Sequence, residues 1–163
     1  MAVDHCRMPM LSVLAIPSET LSRIRARGVD EHERPVAPWR AEGGEPLRCC
    51  LRPASAGEDL ALISYSPPTA TGPWRETGPV FVHGEDCGGR DAGSGLPDGL
   101  RTGPRVLRPY RADGTLNYDA IRIVADGEDL EAPLTDLVMR PDVLEVHVRA
   151  VAAQCFTYAV RAG

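Results

Sequence analysis

The sequence predicts a single α+β domain built on a curved, mainly antiparallel β-sheet or a partly closed barrel, with two short helices. Three observations lead there. Seven runs of strand-like composition follow one another from Leu47 onward, separated by turn residues. Only two stretches, 18–27 and 129–140, place apolar residues at helical spacing. A length of 163 residues suits one hydrophobic core rather than two.

Residues 10–16, Met-Leu-Ser-Val-Leu-Ala-Ile, read as a strand. Pro17-Ser18 then opens a helix that Gly28 closes, with Ser18 expected to cap the free amides and Leu21 and Ile24 forming the apolar stripe. Residues 29–46, rich in charge, proline and glycine, read as a loop with at most a weak strand around Trp39. This strand–helix–loop unit, 1–46, is expected to pack on a β-rich body, 47–163. The strand-like runs of that body are Leu47 to Arg52, Asp59 to Tyr65, Pro79 to His83, Arg105 to Arg111, Ala120 to Ala125, Val143 to Val151 and Cys155 to Arg161. Ser66 to Trp74 is a proline-rich loop, and Asp86 to Pro104, with six glycines in nineteen residues, has no regular pattern. In the second helix, Leu130, Leu134, Leu137 and Val138 share a stripe, Pro133 falls in the first turn, and Pro141-Asp142 ends it.

The net charge is −5, and acidic residues are interspersed with the basic ones rather than gathered apart. Nucleic-acid binding, which needs a basic footprint, is therefore disfavoured. All eighteen basic residues are arginine, a bias that a GC-rich genome produces by codon usage alone; arginine also grips carboxylates and phosphates in two-point geometry. No apolar run approaches the roughly 18 residues that a membrane helix requires. Met10 to Ile16 is too short for the core of a secretory signal. Cys6, Cys49, Cys50, Cys87 and Cys155 form no regular framework, so the expectation is a cytoplasmic protein with reduced thiols, associated with neither membrane nor nucleic acid. The sequence leaves the oligomeric state open, a homodimer included.

Alternation along the strands points at candidate functional residues. Glu145, His147 and Arg149 share one strand face, opposite Val146 and Val148; Arg108 and Tyr110 share another; Arg48, Cys50 and Arg52 share a third; Phe81 and His83 oppose Val80 and Val82. These faces describe either a solvated side of a sheet or, if they converge, a pocket for a small anion. The pocket reading assigns His83, His147, Tyr110 and Glu76 to acid–base work and Arg48, Arg108, Arg149 and Cys50 to substrate binding. Glu76 precedes a turn, where it would act as a base, tie down backbone amides or pair with an arginine such as Arg48.

This inventory suits a cofactor-independent lyase, cyclase, isomerase or hydrolase acting on a carboxylate-bearing molecule. The same pocket would equally serve a non-catalytic binding or sensor protein, and a purely structural interaction domain is a third reading. No glycine-rich phosphate loop or dinucleotide fingerprint stands in a strand-to-helix context, which disfavours redox and kinase chemistry. Cys50 paired with His83 or His147 is conceivable as a nucleophile, without the local signature of a thiol hydrolase. His83, Cys87, His147 and Cys155 offer zinc-type donors at spacings unlike the usual zinc patterns, so no metal is assigned and a zinc-binding domain stands only as an alternative reading.

Several segments resemble a bacterial family of unknown function, the domain-of-unknown-function family 1203. They are Ala15 to Glu19, Pro46 to Arg52, Gly57-Glu58 leading to Tyr65, Pro73 to His83 with Cys87, Arg108-Pro109-Tyr110, and Val146 to Arg149 running to Cys155-Phe156. The resemblance covers nearly the whole chain and implies a shared fold without implying a reaction. Against the family pattern, Leu47 stands where cysteine is common, Cys49 where a polar residue is common, Trp74 for tyrosine and Ala150 for asparagine. Such departures suit either a specialised member or neutral drift.

Overall fold

The computed structural model describes residues 10–163. Two antiparallel sheets and two helices are formed by β1 (Leu11–Leu14), α1 (Ser18–Arg27), β2 (Ala37–Arg40), β3 (Asp59–Tyr65), β4 (Gly78–His83), β5 (Arg105–Tyr110), β6 (Arg122–Val124), α2 (Glu131–Val138), β7 (Glu145–Ala150) and β8 (Phe156–Ala162). The larger sheet has the order β1-β8-β7-β5-β6 and the smaller β2-β3-β4. The α+β class holds, in the form of two open sheets rather than one curved sheet or a barrel.

The two sheets use their faces differently. One face of the larger sheet carries Val13, Leu107, Val146, Val148, Tyr158 and Val160, and it packs against Leu134, Leu137 and Val138 of α2 together with Leu96 and Leu100. The glycine-rich segment that lacked a pattern thus contributes two leucines to this core. The smaller sheet packs Leu60, Ile63, Val80 and Val82 against Leu21 and Ile24 of α1. Trimming one methylene there, with Ile24→Val, is expected to cost about 0.5–1.5 kcal/mol of unfolding free energy in a urea titration.

Two local expectations are corrected, and two others hold. Ser18 is the first helical residue of α1, with Pro17 at the cap position and no side-chain cap bond; the proline's fixed φ starts the helix instead. Gly28 does close it, in the left-handed conformation with φ 72°. Leu47 to Arg52 is a tight loop rather than a strand. Pro46 and Pro53 pair across its base, the Leu51 amide donates to the Leu47 carbonyl, and Leu51 itself takes φ 59°. The alternation assumed for Arg48, Cys50 and Arg52 therefore does not apply. The weak strand around Trp39 forms as β2, whose residues are all exposed.

The loop before β2 is tied down by Asp30, buried although charged. Its Oδ1 accepts from the amides of His32 and Arg34, and its Oδ2 accepts from the Ser64 amide at 2.8 Å.

Candidate functional site

The second face of the larger sheet carries the polar residues, and it is covered rather than solvated. Cross-strand register sets His147 opposite Arg108, and Glu145 opposite Tyr110. A register shift between Val148 and Arg149 places Phe156 opposite Arg149, a bulge that re-aims the side chains at this end of β8. The Phe156 ring then meets the His147 ring edge-on, with centroids 5.2 Å apart, and the Tyr110 ring lies 4.3 Å from His147.

His147 is 0% exposed. Its Nε2 lies 2.8 Å from Glu145 Oε1. A carboxylate only accepts, so Nε2 carries the proton and Nδ1 presents a lone pair. Burial pushes the imidazole below its ordinary 6.5 against the pull of Glu145, with Arg108 and Arg149 adding to the depression. Burial pushes Glu145 up, but the hydrogen bond and charge of His147 and the Arg161 Nε bond at 2.7 Å leave it below its ordinary value. His147 Nδ1, Tyr110 Oη, Arg108 Nε and Arg149 Nε are all buried on this face without a hydrogen-bond partner among the described residues.

Above this layer, Glu76 is clasped by two arginines. Arg108 Nη1 donates to both its oxygens, at 2.9 and 3.1 Å, and Arg149 Nη2 lies 3.0 Å from Oε2. Glu76 thus pairs with Arg108 and Arg149, not with Arg48.

A cleft runs between the smaller sheet and the turn joining β7 to β8. It comprises two cavities that share Pro79, Ala153 and Cys155. The first, about 370 Å³, is lined by Glu76, Arg149, Tyr65 and Phe156. The second, about 620 Å³, is lined by Arg48, Arg105, Phe81, Leu100 and Thr157, with no carboxylate among the described residues that line it. Arg48 is only 4% exposed and is held by carbonyls alone, donating from Nε to Phe156 O at 2.8 Å and from Nη1 to Pro46 O. Burial lowers its pKa to about 10, which still leaves it charged at neutral pH.

The smaller sheet ends in a separate cluster. His83, the last residue of β4, sets Nδ1 3.4 Å from Cys49 Sγ and 3.8 Å from Cys50 Sγ, and those two sulfurs are 3.9 Å apart. Cys87 joins them, so that one donor atom from each of the four residues lies within 4.8 Å of the others. On the far side of the ring, Nε2 lies 3.4 Å from Glu58 Oε1 and 3.1 Å from Arg52 Nη2. The Arg52 bond and the Ser55 amide bring the Glu58 carboxyl down to about 2.

The eight residues named from the sequence therefore fall into three groups. Glu76, Arg108, Arg149, Tyr110 and His147 come together; Arg48 lines the larger cavity; His83 and Cys50 belong to the sulfur–imidazole cluster. The four residues weighed for zinc do not meet: His147 is enclosed by Tyr110 and Phe156, and Cys155 lies in the cleft. Sequence reasoning missed Arg105 and Cys49 as site residues. By strict alternation both belonged to apolar faces; the position of Arg105 at the start of β5 and the looped backbone at Cys49 free them. Glu145 had a usable signal, since it shares a face with His147 two residues on.

Among the described residues no helix is long and apolar enough to cross a membrane. No curated protein and no solved structure matches the chain. A family model described as "Protein of unknown function (DUF1203)" matches residues 44–162, which span the cleft-lining loops, the sulfur–imidazole cluster and every strand from β3 to β8, and the chain belongs to that family.

Proposed function

We propose that the protein binds a small carboxylate or comparable anion with an apolar portion in the cleft between the two sheets. One observation carries this reading: the 620 Å³ cavity has two arginines and no acidic residue among the described residues of its lining, and one of those arginines is almost fully buried. A buried cation is costly unless an anion or a dense set of hydrogen bonds compensates it. Arg48 has carbonyl dipoles only, so an arriving anion would complete its electrostatics. Phe81, Leu100 and Leu62 supply apolar surface for the rest of the ligand.

A thermal-shift screen of small carboxylates and inorganic phosphate tests the reading. Carboxylates with an apolar tail are expected to raise Tm for the wild type and to lose most of that shift in Arg105→Met. Equal shifts in both proteins would overturn the assignment.

Acid–base catalysis is a second reading, favoured by one specific observation. His147 Nδ1 and Tyr110 Oη lie on neighbouring rings, both buried and both without a partner among the described residues. A neutral imidazole oriented by a carboxylate is the arrangement of a general base. Phe156 stands between this pair and the cleft, so the chemistry would require that ring to move. With a ligand identified from the screen, His147→Gln is expected to abolish its turnover while leaving its affinity unchanged. Undiminished turnover in that variant would remove the catalytic reading and leave a binding protein.

A further inference from the structure

The cluster at the end of β4 carries an inference independent of the cleft. We propose that Cys49, Cys50, His83 and Cys87 form a closed four-ligand site for a zinc-type divalent cation, which fastens the 46–53 loop and the start of the glycine-rich segment to the smaller sheet.

The first support is metric. An ion with Zn–S of about 2.3 Å and Zn–N of about 2.0–2.1 Å in tetrahedral geometry separates its ligand atoms by about 3.8 Å for S···S and about 3.5 Å for S···N. The observed separations are 3.9 Å for Cys49–Cys50, and 3.4 and 3.8 Å for the two sulfurs to His83 Nδ1. Three vertices of the tetrahedron are thus already at their working distances. Cys87 lies within the same 4.8 Å group, at an exposed position, as the fourth.

The second support is the surrounding hydrogen bonding. The His83 amide donates to Cys49 Sγ at 3.3 Å. A backbone donor of this kind suits a sulfur that carries thiolate charge. The opposite ring nitrogen of His83 lies 3.4 Å from Glu58 Oε1 and 3.1 Å from Arg52 Nη2. Once Nδ1 takes the metal, Nε2 carries the proton and donates to Glu58, while Arg52, which only donates, gives up the ring and keeps its bonds to Glu58. That carboxylate–imidazole–metal relay fixes the tautomer and raises the basicity of the ligand. Three thiolates on a divalent ion leave one negative charge. Arg52 stands beside the ring, and Arg25 Nη2 donates to the His83 carbonyl at 3.0 Å, so two cations are placed to meet it. With all four positions filled by the protein, no open position remains for water or substrate, and the role is structural.

The test uses the full chain purified anaerobically with a reducing agent. Elemental analysis is expected to find stoichiometric zinc, and cobalt substitution to give the intense visible bands of a tetrahedral ion with thiolate-to-metal charge transfer. Cys87→Ser, at an exposed position, is expected to keep the fold by circular dichroism and lose the stoichiometric metal. Glu58→Gln is expected to weaken zinc binding roughly ten- to a hundredfold. Three results would each overturn the proposal: no stoichiometric metal with Tm indifferent to a chelator, a zinc content unchanged in Cys87→Ser, or a thiol titration showing two of these cysteines joined as a disulfide.

Discussion

Arg48→Met is expected to weaken binding of a cleft ligand by about 30- to 5,000-fold, the loss of 2–5 kcal/mol seen when one partner of a buried charged contact is removed. Its effect on the free protein should be far smaller, because two terms oppose each other. Removing a cation held only by carbonyls relieves a desolvation penalty of several kcal/mol. Against it, the Phe156 and Pro46 carbonyls lose their donor, at about 1–3 kcal/mol each. Methionine fills much of the vacated volume. Calorimetric titration of wild type and variant with a carboxylate from the screen, beside denaturant unfolding of both, separates the terms. A variant that unfolds like the wild type and still binds with undiminished affinity would mean that Arg48 is a strut for the loop and not a ligand contact.

Glu145→Ala should destabilise the fold by about 2–4 kcal/mol, combining a stranded buried donor with the space left by the side chain. The same pair predicts sensitivity to acid. The His147 pKa lies below its unfolded value of 6.5, so as pH falls through 6.5 the unfolded chain takes up a proton that the native protein refuses. Its contribution is whole above pH 6.5 and is lost as pH falls towards the folded value, with a slope of up to about 1.4 kcal/mol per pH unit. The Glu145 pKa lies below 4.5, so its contribution is present above that pH and disappears as pH falls through its own folded value. The two act in the same direction, with His147 first. His147→Gln keeps a donor for Glu145 and cannot titrate; urea unfolding between pH 7 and 4.5 should show a flatter profile in that variant. An equally steep loss of stability would place the acid sensitivity elsewhere.

Much of this architecture could be read from the chain because it rests on local periodicity. Leu21 and Ile24, and Leu134 with Leu137 and Val138, marked both helices, and the Val146–Val148 alternation marked the central strand. The polar phase of β7 and β5 was equally legible, and it did gather His147, Arg149, Arg108 and Tyr110 on one face. What alternation could not supply was distance between elements. Whether that face met water or a second layer depended on where β3, β4 and Phe156 came to rest, and the bulge in β8 has no signature in its residues. Leu47 to Arg52 misled for a different reason: its composition suits a strand, but amides flanking the prolines at 46 and 53, Leu47 to the Arg52 carbonyl and Ala54 to the Glu45 carbonyl, close it into a tight loop, which delivers two adjacent cysteines to one place. An i,i+1 pair points to opposite sides in a strand, so the sulfur cluster was invisible until the backbone was known.

Two of the three buried apolar groups meet along one strand, with a kinetic consequence. Along β8, Tyr158 and Val160 belong to the core against α2, while Phe156 and Ala159 belong to the core that holds α1 and the smaller sheet. β8 is thus common to both, yet β3, β4 and α1 draw their burial mainly from one. That unit can separate from the seam while β5, β7 and β8 keep their ladder and α2. Amide exchange should therefore be graded: fastest in exposed β2, intermediate and cooperative across β3 and β4, and slowest in β7 and β8, whose protons exchange only when the whole molecule unfolds.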